Sequence, residues 1–459
     1  MRYVSTRGGV TDLSFCDAVM MGLASDGGLL VPESIPDFRD ELGDLSKLGY
    51  TAIAQRVMRR FIDDIPEDVL TDLIERSYAT FDHALVTPLV QPSADYHVLE
   101  LFHGPTLAFK DVALQFLGNI FEFVLTRDGG HLNILGATSG DTGSAAIAGV
   151  RGKSGINIFI MFPEGRTSPL QEKQMTSVLD ENVQNIAIEG SFDDCQSILK
   201  TVFSDLPFKE RHQMGAVNSV NWARVLAQVV YYFAAWVQLG SPSAFQVAVP
   251  TGNFGNIFAG YIARKMGLPI STLILATNQN DILDRFFRTG RYERGDVHFT
   301  HSPAMDIQVA SNFERYLYYE MGQDPAKVSA FMHDFQRTGS ASINFNTLNF
   351  DGAFRSGAAT DAEILETISA RYAEDRYLLD PHTAVGVKVG LALKSNDGPL
   401  VCMATAHPAK FDDVMAKALP DVEVTHPTLM ALADAETRKT VLPAEVNSVQ
   451  AFIEQFNAL

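Results

Sequence analysis

Cysteine is scarce: Cys16, Cys195 and Cys402 are the only three in 459 residues. An odd number so widely spaced excludes a disulfide framework and a zinc-ligand pattern. Reduced thiols of a cytoplasmic protein are expected, with no metal site. Basic residues are outnumbered, 36 Lys+Arg against 55 Asp+Glu, for a formal charge of −19. That balance argues against nucleic acid or an anionic membrane as partner, while leaving room for a local basic pocket and a small-molecule ligand. Long apolar runs are missing as well. None approaches the roughly 20 residues that span a bilayer, and the opening MRYVSTRGG has no apolar signal core. There is no short-period repeat or low-complexity tract. What remains is an ordinary globular composition, 46% hydrophobic and 20% charged, long enough for two or three domains. Nothing in it sets an oligomeric state.

One lysine stands out. Lys110 lies in LFHGPTLAFKD, after an apolar strand at Val98–Phe102 and a Gly104-Pro105 turn. Downstream, Val112, Phe116, Leu117, Ile120, Phe121 and Val124 recur near helical period, so a helix starts at about Asp111. A cation at the positive end of a helix dipole is disfavoured, whereas Asp111 suits it. The lysine is tolerated if its pKa falls or its nitrogen is tied up as an imine. The plain alternative is a side chain that bends away to water.

Residues 1–88 read as a mostly helical module, with helices in FCDAVMMGL, TAIAQRVMRRFI and PEDVLTDLIERSYATF. Asp82–Pro92 reads as a linker. From about residue 96 strands alternate with helices: HLNILGAT before SAAIAGVRG, INIFIMFPEG, VQNIAIEG before SFDDCQSILKTVF, FQVAVP before a glycine loop and helix, STLILAT, and LVCMAT near the end. NSVNWARVLAQVVYYFAAWVQLG, DPHTAVGVKVGLALKS and SVQAFIEQFNAL read as helices, and 290–355 as a less regular insertion. Such alternation implies α/β architecture with open, mainly parallel sheets covered on both faces. The expected division is 1–88 as the N-terminal module, 89–127 with 216–459 as a large α/β domain, and 128–215 as a smaller one.

Three loops can carry chemistry. Ser139, Gly140, Asp141, Thr142 and Gly143 form a turn at a helix start, where N–H groups, hydroxyls and the dipole make an anion cradle. It is no Walker A loop, since no Gly-Lys-Ser/Thr follows. An ordinary capped turn is the competing reading. Gly252, Asn253, Phe254, Gly255 and Asn256 follow a strand and open a helix, a natural seat for a phosphate monoester. Thr405 ends the strand LVCMAT, where a hydroxyl can meet a ligand at the sheet edge. A tied-up lysine, a phosphate loop, a carboxylate loop and a hydroxyl at a strand end are together the parts of a pyridoxal phosphate enzyme acting on an amino acid.

Over nearly its whole length the chain resembles the threonine synthase family, in its longer bacterial and fungal branch. The resemblance is carried by SFCDAVMMGLASDGGLLVPESIP, LFHGPTLAFKD, GATSGDTGSAA, FPEGRTSPLQEKQM, NSVNWARVLAQVVYYF, TGNFGN, TNQNDIL, DIQVASNFER, LDPHTAVG and TAHPAKF. It implies a tryptophan-synthase-β-like, fold type II pyridoxal phosphate enzyme, with the cofactor between two α/β domains. It further implies that Lys110 forms the Schiff base, that Gly252, Asn253, Phe254, Gly255 and Asn256 hold the cofactor phosphate, and that Thr405 meets the pyridine nitrogen. Ser139, Gly140, Thr142 and Gly143 would hold the substrate carboxylate, with Asp141 near the ring hydroxyl. The implied reaction converts O-phospho-L-homoserine and water to L-threonine and phosphate.

The substrate's own phosphate needs another anion site. Lys153, Arg166, Lys173 and Arg224 are candidates, with Asn218, Ser219 and Asn221 as neutral donors. Arg224 is favoured because it falls one helical turn from Asn221. His382 and His407 read as packed or capping rather than catalytic. Within HSPAMDI, Ala304 stands where the resemblance leads one to expect serine. Another lyase or dehydratase reaction on the same fold, or a cofactor-binding relative without catalysis, are the alternatives.

Overall fold

The computed structural model describes residues 1–138, 140–345 and 352–457. In chain order its strands are β1 (Tyr3–Ser5), β2 (Leu30–Pro32), β3 (Leu89–Ser93), β4 (Tyr96–Glu100), β5 (Leu132–Ala137), β6 (Ile156–Pro163), β7 (Val183–Glu189), β8 (Met214–Gly215), β9 (Phe245–Pro250), β10 (Ile270–Thr277), β11 (Arg291–Glu293), β12 (Ser340–Ser342), β13 (Phe354–Ala358), β14 (Leu400–Ala404) and β15 (Thr440–Pro443). The chain forms two compact units.

The first unit comprises Met1–Phe109 and Ser219–Val424. Its six-stranded sheet has the order β13-β10-β9-β14-β4-β3. Every pairing is parallel except β3 with β4. Every residue of β9 and β14 is buried, so both faces of the sheet need cover. The helix Pro381–Leu393 packs on β9, β10 and β14, while Trp222–Gln238 packs on Gly255–Lys265. The loop that begins at Thr251 leaves the carboxyl end of β9, and Thr405 leaves that of β14. These are neighbouring strands, and their carboxyl ends are where open α/β sheets bind ligands.

By contact the N-terminal residues group with this unit. The ribbon β1–β2 is antiparallel, and the helix Phe15–Met21 starts with a capping box from Ser14 and Asp17. Two neighbouring side chains hold the ribbon. Glu314 accepts from Thr6 Oγ1 at 2.7 Å and Arg7 Nε at 3.0 Å, and Arg315 Nε donates to the Leu30 carbonyl at 3.0 Å. The expected linker at 82–92 ends in β3. Within the expected irregular stretch 290–355 lie two helices, Phe313–Glu320 and Pro325–Thr338, and the hairpin β11–β12. Residues 346–351 of it lie outside the described residues.

The second unit comprises Lys110–Asn218 and Thr425–Leu459. Its five-stranded sheet, β15-β7-β6-β5-β8, is parallel throughout. Two segments that the sequence reading set in the large domain group here by contact. The helix Lys110–Asp128 belongs here because it lies very close to Asp141–Val150. A Cβ on Gly118 would come within 1.9 Å of the Gly149 carbonyl oxygen, and one on Gly149 within 2.6 Å of the Leu114 oxygen. The C-terminal segment belongs here because β15 extends the sheet and Val449 and Ile453 complete the core around Leu135, Phe159 and Ile186.

Candidate active site

Lys110 is the first residue of its helix and is buried. Its Nζ lies 3.7 Å from Asp141 Oδ2, and both side chains are about nine-tenths enclosed. Asp141 opens the next helix, where a carboxylate is favoured. Gln171 Nε2 donates to its other oxygen at 3.2 Å, which fixes the carboxylate plane. Ser139 lies outside the described residues. Gly140 has φ 149° and ψ −82°, open in practice only to glycine, and a Cβ there would fall 2.0 Å from Gln171 Oε1.

The loop is held from inside. Thr138 Oγ1 accepts the N–H groups of Gly140 at 3.0 Å and Gly143 at 2.9 Å. Those two N–H groups, expected to meet a substrate carboxylate, are thus already engaged. Thr142 makes no hydrogen bond through its hydroxyl or N–H within the described residues, so both are open to an anion.

In the first unit, Gly252–Asn256 forms an uncapped helix start. Phe254 occupies the N-cap position at φ 65°, and no side chain caps it. Among the described residues the N–H groups of Gly252, Asn253, Phe254, Gly255 and Asn256 bond to no acceptor. The Asn256 side chain adds another donor. Its Oδ1 accepts from the hydroxyls of Tyr231 at 2.7 Å and Tyr232 at 2.9 Å, which leaves the buried Nδ2 without a partner. A Cβ on Gly252 would approach the Ala304 oxygen to 3.0 Å, so the loop has no room to fill itself. Five N–H groups and a buried amide at a helix dipole fit a phosphate monoester. Phe254 contributes backbone only, because its side chain is buried against Phe287, Phe313, Tyr316 and Phe354.

Thr405 is buried, and its hydroxyl makes no hydrogen bond within the described residues. Its backbone is pinned on both sides. The N–H donates to Thr383 Oγ1 at 3.1 Å, and the carbonyl accepts from Phe109 N–H at 2.8 Å. Phe109 is the residue before Lys110, so the peptide that launches the lysine is tied directly to Thr405. Lys410 Nζ, also buried, donates to the Thr106 carbonyl at 2.6 Å and fastens the same segment.

Of the basic candidates for a second anion site, Arg224 is distinct. It is buried, and its Nε and Nη1 have no partner. Burial pushes its pKa down to about 10, still charged at neutral pH. Lys153 is held by Asn119 and Glu122, Lys173 by the Ala433 carbonyl, and Arg166 is exposed. Asn221 is spent on structure, capping Ala223 N–H and donating to Val19. Ser219 Oγ meets Ser311 Oγ at 2.8 Å. Asn218 is half-buried and ends the second unit. His382 is packed between Asp380 and the Ala304 N–H, and His407 caps Ala409. Ala304 therefore acts through its backbone, and the absent serine hydroxyl leaves these contacts intact.

A lysine opening a helix, an uncapped loop after β9 and a free hydroxyl after β14 are the parts of one cofactor class. The profile of the family described as pyridoxal-phosphate dependent enzyme matches residues 82–331, and the sheets are those of fold type II. The chain is an enzyme of that class, with pyridoxal 5'-phosphate as its cofactor. The families described as threonine synthase N terminus and threonine synthase, C-terminal, match residues 2–78 and 383–453. Threonine synthase of Pseudomonas aeruginosa is 47% identical, the alignment covering 99% of this chain and 98% of that protein. The crystal structure of PLP-bound threonine synthase from Brucella melitensis superposes with a TM-score of 0.97 at 46% identity, over 100% of both chains. The yeast threonine synthase structure gives 0.95 at 44%, over 100% of this chain and 99% of that one. The chain belongs to the threonine synthase family. It is a carbon–oxygen lyase of threonine biosynthesis, converting O-phospho-L-homoserine and water to L-threonine and phosphate.

Proposed function

We propose the following division of labour for that reaction. The observation that carries it is a pair of unsatisfied donor sets in the first unit. One is the run of free N–H groups at Gly252–Asn256 with Asn256 Nδ2, and the other is the buried, unpaired guanidinium of Arg224. Two phosphates must be held, the cofactor's and the substrate's, and the two sets supply one site each. Thr405 would hold the pyridine nitrogen through a neutral hydroxyl, leaving that nitrogen largely unprotonated. Lys110 would hold the cofactor's carbonyl carbon until substrate displaces it.

When bound, the cofactor supplies the electron sink that stabilises negative charge on the substrate. The chain's own residues do the rest. Lys110, once released, is the base that takes the α-proton and later returns it, and it carries a β-proton to the γ-carbon that the phosphate leaves. Asp141 receives its ammonium form, and Gln171 keeps that carboxylate aimed. Thr142 offers its N–H and hydroxyl to the substrate carboxylate. Arg224, with Asn218 and Ser219 beside it in sequence, holds the γ-phosphate and receives the charge as it leaves. Water adds at the β-carbon. A cytoplasmic setting fits three buried cysteines that form no disulfide among the described residues.

The test is the visible spectrum of the purified protein before and after borohydride, followed by mapping of the reduced adduct. The label is expected on Lys110. Lys110→Ala is expected to abolish phosphate release from O-phosphohomoserine. Wild-type-like steady-state activity in that variant would sink the assignment. Ammonia release from serine or threonine in preference to phosphate release would favour a dehydratase instead.

A further inference from the structure

Arg315 is fully buried, and every hydrogen-bond acceptor it meets among the described residues is neutral. Nε and Nη2 both donate to the Leu30 carbonyl, at 3.0 and 2.9 Å, and Nη2 also reaches the Val220 carbonyl. Nη1 donates to Asn312 Oδ1 at 2.5 Å. That contact fixes which end of the Asn312 amide is which, since a flipped amide would aim its NH2 at a guanidinium. The Nδ2 so oriented donates to the Asn253 carbonyl at 3.1 Å and the Ser219 carbonyl at 3.2 Å. The Asn312 N–H also donates to Asn253 O at 3.0 Å. One buried amide therefore ties the Gly252–Asn256 loop to the segment that precedes the helix of Arg224.

We propose that Arg315 and Asn312 form a clamp that holds the cofactor-phosphate loop and the Ser219 loop in one fixed register, making both positioning residues for cofactor and substrate. The arginine is needed because it alone spans Leu30, Val220 and Asn312. Its charge is kept despite burial, which lowers its pKa to about 9. The clamp also gives the N-terminal ribbon a role at the site, since the Leu30 carbonyl is what the guanidinium grips from the far side.

The experiment compares holoenzymes of Asn312→Asp and Arg315→Lys. Cofactor release on dilution is followed by visible absorbance, and KM and kcat are measured with O-phosphohomoserine. Aspartate keeps an acceptor for Arg315 but turns the Nδ2 donor into an oxygen facing two carbonyls. Lysine keeps the charge but cannot span the three acceptors. Both variants are expected to release cofactor roughly tenfold faster and to raise KM roughly tenfold, with kcat changed less, as for the loss of a hydrogen bond. Faster release in Asn312→Asp with none in Arg315→Lys would make the effect one of charge and overturn the clamp. So would a lowered melting temperature with release and KM both unchanged. The KM measurement rests on the substrate role proposed for Ser219, which Ser219→Ala tests alone. Unchanged KM there refutes that role, whereas raised KM there with unchanged KM in Asn312→Asp refutes the clamp.

Discussion

A buried guanidinium with two nitrogens unpaired carries a desolvation penalty of several kcal/mol. Arg224 is in that state. Arg224→Met keeps the volume and removes the charge, so the melting temperature is expected to rise by a few degrees. The same change is expected to lower kcat/KM for O-phosphohomoserine about a hundredfold or more, because the charged contact to phosphate proposed for Arg224 would be lost. Calorimetry and steady-state assays on one preparation check both signs. His103 is a second case. Burial opposes its charge, but Glu100 at 2.8 Å and Asp82 at 3.0 Å outweigh burial and raise its pKa above the ordinary value. A raised pKa in the folded state gives stability that is complete below the unfolded value of about 6.5 and is lost as pH climbs through the folded one. Melting temperature should fall over that window, and His103→Gln should flatten the fall. At this scale the sequence offered Arg224 and the Gly252 loop as candidate anion donors and Thr405 as a hydroxyl at a strand end. It could not show where their neighbours point. The hydroxyl of Thr138 and the clamp of Arg315 went unread, because a threonine's acceptor or an arginine's burial is settled by packing that no spacing encodes.

Two helices in the second unit touch backbone to backbone, and the helix carrying Lys110 is one of them. Gly118→Ala would push that helix off its partner, because the added carbon meets a carbonyl and not a flexible side chain. The expected loss is about 3 kcal/mol of stability, read by denaturant titration, with reduced activity since Lys110 sits on the displaced helix and Asp141 on its partner. The strand–helix alternation of both sheets was legible from apolar runs bounded by turns. The order of the strands was not, because periodicity sets a strand's faces and says nothing of its neighbours. The helices Phe313–Glu320 and Asp361–Asp375 also escaped the reading. Phe313, Tyr316 and Leu317 are buried together with Glu314 and Arg315, so the polar face that marks an amphipathic helix is missing from the first of them.

Across the whole molecule, the chain passes from one unit to the other three times, at 109–110, 218–219 and 424–425. Neither unit is one continuous piece, so neither should fold from one. Residues 110–218 alone would leave β7 without β15 and the core without Val449 and Ile453. This fragment is expected to melt without a cooperative transition, and a second chain of residues 425–459 is expected to restore one in calorimetry. The order of the large sheet has a further consequence, for a chain still on the ribosome. β14 lies between β9 and β4, so the hairpin β3–β4 has no parallel neighbour until residue 404 emerges. At roughly 5–20 residues per second, some 15–60 seconds of synthesis separate the two. For that interval an apolar strand edge is on offer to any passing chain, and cover by a chaperone would keep it for the sheet it is meant to join.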